Sequence, residues 1–185
     1  MLTPWISSLH LSLLTFVILV FTQAALHKAS DLRRFSGYVA NYSPKLEKVS
    51  FAIASGVLLV ESGAIILSVT SRYSQFGVGV MLLLLACYTT AMIISLKTHQ
   101  GEIDCGCGGT PIIVSTKTIV RNSVLGCLML VVLMTHYLPL TIIELTVSLC
   151  SGFALWLAYF LVEQLLHNQD SLLKLIRSSH ERSSK

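Results

Sequence analysis

Apolar residues run through this chain in long uninterrupted blocks, without the three-to-four spacing of a half-buried helix. Five blocks come close to or exceed the roughly 20 residues that a helix needs to cross a hydrocarbon core: Ile6 to Leu26, Val49 to Val69, Phe76 to Leu96, Thr118 to His136 and Ile142 to Leu166. Each is predicted to be an α-helix. A backbone in lipid has to pair every N–H and C=O within its own segment, and the strict alternation of a closed β-barrel is missing. The expected fold is all-α, a polytopic transmembrane helical bundle of about five spans, four to five, forming a single integral membrane domain over 1–185. Between the blocks lie a basic loop from His27 to Lys48, a tight turn around Arg72, a glycine-rich loop from Lys97 to Lys117 and a short turn from Tyr137 to Thr141. A polar, basic tail follows over 167–185. Because Leu165, Leu166, Leu172, Leu173, Leu175 and Ile176 recur among the charges at this end, the tail either lies along the membrane surface or continues the last helix.

Composition strengthens this picture. Of 185 residues, 54% are hydrophobic and 12% charged, and the mean hydropathy of +0.74 lies outside the usual range of a soluble domain. The first block has no basic residue before it, is long for a signal core and is followed by no convincing cleavage site, so it is read as a retained span. Counted on alternating sides, every one of the 13 Lys and Arg residues except Arg72 falls on one side. The positive-inside bias then puts the N-terminus outside and the basic loop, the glycine-rich loop and the tail in the cytoplasm. A bacterial inner membrane is the expected location. The net charge of +4 follows from that bias, and thinly spread basic residues without a reading motif give no reason to expect nucleic acid.

Chemistry is concentrated in the glycine-rich loop, where Cys105 and Cys107 flank Gly106. Two thiols this close can be bridged only in a strained small ring, for which Gly106 supplies backbone freedom. A strained disulfide is easily reduced and passes oxidising equivalents on. Lys97 and His99 favour the thiolate, while Glu102 and Asp104 oppose it. Reversible thiol–disulfide exchange leads. Soft-metal binding completed by His99 or Asp104, and a plain flexible turn, stay open beside it, although a second ligand pair with structural-zinc spacing is absent. No metal and no cofactor are assigned. Cys87, Cys127 and Cys150 lie inside apolar blocks and are expected to be buried packing residues.

Glu61 sits near the middle of the second block, where an ionised carboxylate costs several kcal/mol unless paired or protonated. Either it carries function or it makes a structural hydrogen bond to a Ser, Thr or Tyr of another helix. Lys28, with Gln23 and His27, is a possible partner only if the depths match. Span parity puts Lys28 near the cytoplasmic face, so a direct pair is disfavoured. Ala52, Gly56, Ser62 and Gly63 are small enough to allow close helix packing around it. His136 and His167 read as interfacial, Trp5 and Trp156 as interface or packing aromatics. A hydrolase triad, a phosphate loop and a dinucleotide fingerprint are all missing.

Taken together, Ala25-Leu26-His27-Lys28 with Asp31 and Phe35, a second span carrying Glu61, and the loop Asp104-Cys105-Gly106-Cys107 resemble the MauE family, the methylamine utilisation membrane proteins related to DoxX-like redox-associated proteins. The resemblance runs from about Leu14 to Leu166, and its most specific element is the Cys-Gly-Cys loop. Gly108 stands where an aromatic is expected. The resemblance implies a role in maturation, processing or export of the methylamine dehydrogenase light (beta) subunit, with a thioredoxin-like MauD-type partner. Such a protein is a maturation factor first, and a thiol–disulfide oxidoreductase only if its thiols turn over. A small transporter or assembly scaffold using Glu61, with incidental cysteines, is the alternative. A periplasmic role conflicts with a cytoplasmic cysteine loop. Two resolutions are a loop that re-enters the membrane, and second and third spans that do not form a simple hairpin.

Overall fold

A computed structural model of the chain describes residues 4–41, 44–70, 72–97, 116–135 and 140–183. These residues form α1 (Pro4–Ser30), α2 (Leu32–Asn41), a 3-10 helix (Pro44–Val49), α3 (Ser50–Val69), α4 (Ser74–Lys97), α5 (Thr116–Met134) and α6 (Ile142–Ser183). Among the described residues, four segments are long and apolar enough to cross a membrane: Trp5–Ser30, Glu47–Val69, Ser74–Ile94 and Ile142–Leu166. Thr118–Met134 is a shorter apolar helix, because Lys117, Arg121 and Asn122 make its beginning polar. The all-α fold with four to five spans is therefore what the chain adopts.

Helix α1 is the hub. It packs against α3, α5 and α6, while α3 lies on α4 and α4 on α5. Val17, Val78, Met81, Met129 and Val132 form the innermost core, with Phe16 and Phe21 around them. The two glycines that set the closest approaches are Gly77, against Ser68 and Ala64, and Gly152, against Ser12 and Thr15. Gly56 and Gly63, expected to allow close packing, have nothing within 4 Å of a would-be Cβ. Backbone hydrogen bonds from Thr70 N–H to the Leu67 carbonyl (3.1 Å) and from Tyr73 N–H to the Thr70 carbonyl (2.9 Å) turn α3 into α4. Since Gly77 then meets Ala64 and Ser68, α3 and α4 are a simple antiparallel hairpin, which removes one of the two resolutions offered above. The end of α4 and the start of α5 consequently lie at the same end of the bundle as the end of α1 and the start of α3.

The stretch expected to be a basic loop is largely helical. Asp31 ends α1 and caps α2: its carboxylate accepts the Arg34 N–H at 3.0 Å and its carbonyl the Phe35 N–H at 3.1 Å. Arg33 and Arg34 face out and Phe35 is buried, so α2 lies against α3 on its apolar side. Asp31→Ala should lower stability by about 1 kcal/mol, the usual worth of an N-cap, read as a small drop in melting temperature in detergent.

Helix α6 opens with a reciprocal capping box, in which Thr141 N–H donates to Glu144 Oε2 (2.9 Å) and Glu144 N–H to Thr141 Oγ1 (3.4 Å). It continues unbroken for 42 residues, about 63 Å at 1.5 Å per residue. Of the two expectations for the tail, helical continuation is the one observed. Cys87, Cys127 and Cys150 are free and exposed on the outside of the bundle, contrary to the expectation of burial. Lipid is as apolar as a neighbouring helix and gives a thiol no reason to turn inward.

Candidate functional site

Among the described residues, Lys28 and Glu61 are charged side chains in the interior of the bundle. Lys28 is three residues before the turn at Asp31, and Glu61 is eleven residues into α3, about 17 Å along its axis. The Lys28 ammonium donates to both carboxylate oxygens of Glu61, at 2.9 Å to Oε1 and 2.7 Å to Oε2. Both side chains are 1% exposed. A direct pair, disfavoured by the sequence, is thus what forms.

Further contacts complete the site from α2 and α4. Lys28 Nζ lies 3.4 Å from Tyr88 Oη, 4.5 Å from the centre of the Tyr88 ring and 5.7 Å from that of Phe35. The ammonium's third N–H therefore points to a hydroxyl and its remaining surface to aromatic faces, which attract a cation through their quadrupole. An isolated buried charge costs several kcal/mol, whereas a fully hydrogen-bonded pair offsets most of that penalty. The site joins the end of α1, the start of α2, the middle of α3 and the lower half of α4. Tyr88 was not singled out in the sequence; the usable signal was a hydroxyl-bearing aromatic inside an otherwise apolar block.

Other polar contacts tie the remaining helices. Arg121 of α5 is ion-paired with Glu163 of α6, Trp156 Nε1–H donates to Gln23 Oε1 at 2.9 Å, and Asn122 donates to Thr89 Oγ1 at 3.4 Å. Toward the opposite end, His10 Nδ1 is hydrogen-bonded to Thr135 Oγ1 at 2.7 Å. Among the described residues no group of three or more His, Cys, Asp or Glu side chains is placed to hold a metal. Cys105 and Cys107, together with His99, Glu102 and Asp104, lie outside the described residues, as does His136. Tyr88 is nine residues before Lys97, where α4 ends, and Asn122 six after Thr116, where α5 starts.

Four crossing-length apolar helices, three of which, α1, α3 and α4, meet at a buried ion pair, define a multi-pass membrane protein. The family model described as Methylamine utilisation protein MauE matches residues 5–136, from α1 through α5. Methylamine utilization protein MauE of Paracoccus denitrificans is 30% identical over 149 residues, which cover 78% of this chain and 80% of that relative. This chain belongs to the MauE family of methylamine utilisation proteins. No solved structure matches it.

Proposed function

We propose that this protein is an accessory factor of the bacterial inner membrane that matures the light (beta) subunit of methylamine dehydrogenase by thiol–disulfide exchange through Cys105 and Cys107. Membership of a methylamine utilisation family is the observation that carries this reading; the Cys-Gly-Cys sequence between α4 and α5 supplies its chemistry. In the exchange, a substrate thiolate attacks one sulfur of the Cys105–Cys107 disulfide and forms a mixed disulfide. A second substrate thiolate then releases it, so the substrate gains a disulfide and Cys105 and Cys107 take up two electrons and two protons. A thioredoxin-like partner of the MauD type, in its disulfide form, accepts those electrons and restores the pair. The buried Lys28–Glu61 pair serves this role by fixing α1, α3 and α4 relative to one another.

Replacing both Cys105 and Cys107 with serine should abolish accumulation of the light subunit and remove any mixed disulfide trapped by acid quenching. Undiminished light subunit in that variant would end the redox reading. A second reading, a small transporter or assembly scaffold centred on Glu61, is favoured by the burial of its ion pair. It expects the opposite pattern, with Glu61→Gln damaging and the double serine variant harmless. Alkylating Cys105 and Cys107 in intact cells with a membrane-impermeant reagent, with and without reductant, reports which side the loop faces and its oxidation state.

A further inference from the structure

Helix α6 is the least enclosed of the crossing helices: 11% of its apolar window is buried, against 44% for α1. It meets the bundle along one face, through Ser148, Gly152, Trp156, Tyr159 and Glu163. A different face is left uncovered. Leu155, Ala158, Val162, Leu165 and Gln169 are all exposed, and they follow one another at alternating steps of three and four residues. The same spacing continues in the sequence of this helix to Leu172 and Ile176. Alternation of three and four sustained over three heptads is the repeat of a coiled coil.

Lipid accounts for the first part of that face and fails for the second. The crossing-length segment of α6 ends at Leu166, so Leu155, Ala158, Val162 and Leu165 fall within it and Gln169 beyond it. From residue 167 to Ser183 the helix runs on for 17 residues, about 25 Å. With no proline or glycine after Gly152, nothing in α6 provides a bend that would lay this part on the membrane surface. Here two rows outside the seam are polar, Glu163, Asp170 and Arg177 in one and His167, Lys174 and Glu181 in the other, while Leu166, Leu173 and Leu175 widen the apolar face beside the seam.

We propose that this face is a self-association surface, on which two copies of the chain pair their α6 helices in parallel from within the bilayer to beyond its edge. The occupant is a second copy for three reasons. Val162 and Ile176, β-branched, occupy one seam position, and Leu165 and Leu172 the other, the arrangement that favours two parallel strands. Gln169 falls on the same seam row as Val162 and Ile176. Its amide both donates and accepts, so it is satisfied by its own copy across a two-fold axis. Copies inserted with the same topology present α6 in the same direction, and Ser151 and Ala158 are small enough for the helices to approach closely in the membrane.

The test is a scan of the full chain in its membrane, with the five native cysteines replaced by alanine and single cysteines introduced at positions 162, 164, 165, 169, 171 and 172, followed by mild oxidation. A product of twice the chain's mass is expected at 162, 165, 169 and 172 and is expected to be lost at 164 and 171. A yield that is flat along the helix, that peaks at 164 and 171, or that joins the chain to a different protein at the seam positions overturns the proposal. As a second variant, Gln169→Glu sets two like charges against each other and should abolish cross-linking at 165, whereas Gln169→Leu should keep it. Unchanged yield in Gln169→Glu also overturns the proposal.

Discussion

Glu61→Ala should destabilise the bundle by about 3 to 5 kcal/mol, the usual cost of stranding one member of a buried ion pair. The loss comes from what remains. Lys28, 2% exposed, would keep its ammonium inside the bundle with only Tyr88 and the two aromatic faces for company. Lys28→Ala should cost a similar amount, because it strands the carboxylate of Glu61 where water does not reach. Exchanging both residues for methionine removes both charges at similar volume and should recover most of the loss, since apolar replacements of whole buried pairs are often neutral. The measurement is the temperature at which half of each purified variant stays monodisperse in detergent. Singles as stable as the parent protein, or a double variant no better than the singles, would show that the pair does not hold these helices together.

Gly152→Leu and Gly77→Leu should also be costly, at about 1 to 3 kcal/mol or more, and the reason is steric. A Cβ on Gly152 would stand 2.6 Å from the Ser12 carbonyl oxygen and 2.7 Å from Thr15 Cβ. One on Gly77 would stand 2.5 Å from the Ser68 nitrogen and 2.7 Å from the Ala64 carbonyl oxygen. Backbone atoms cannot swing aside as a flexible side chain does, so α6 must move off α1, or α4 off α3. The gain of about 1 kcal/mol in helix propensity on replacing a glycine offsets only part of this. At Gly56 and Gly63, where nothing lies within 4 Å, the propensity gain should stand alone, and alanine there should be neutral or slightly stabilising. Equal losses at all four positions in the same melting measurement would refute the close-approach argument.

The helices were legible in the sequence because lipid removes ambiguity: an apolar block of the right length has one way to satisfy its backbone. The ends were less so. Counting stops a span at its first charge, which put the end of the first helix at Leu26, yet α1 carries His27 and Lys28 onward to Ser30. The Lys28–Glu61 pair was misjudged for a related reason. Position along the chain gives each charge the depth of its own backbone and leaves out the reach of its side chain. Helical side chains lean toward their own N-terminus, and α1 and α3 run antiparallel, so a lysine low on α1 leans up while a glutamate midway along α3 leans down. Their combined reach closes a gap that residue counting leaves open. Gly77 and Gly152 were missed because nothing local distinguishes them from Gly56 and Gly63; which glycine meets a neighbour depends on helix rotation, a property of the assembled bundle. The Cys-Gly-Cys sequence was legible as a motif, and its chemistry rests on that motif and on the family.

The Lys28–Glu61 bond also bears on how the chain enters its membrane. The two residues are 33 positions apart, so the lysine leaves the ribosome ahead of the glutamate, and a lone cation drawn into the bilayer is unfavourable. The first helix can therefore reach its final depth only after the second crossing segment has been made, which turns early insertion into a joint event of two segments. A protein truncated before Glu61 should hold its N-terminal helix shallower, with Lys28 open to water-soluble amine reagents that do not reach it in the full chain.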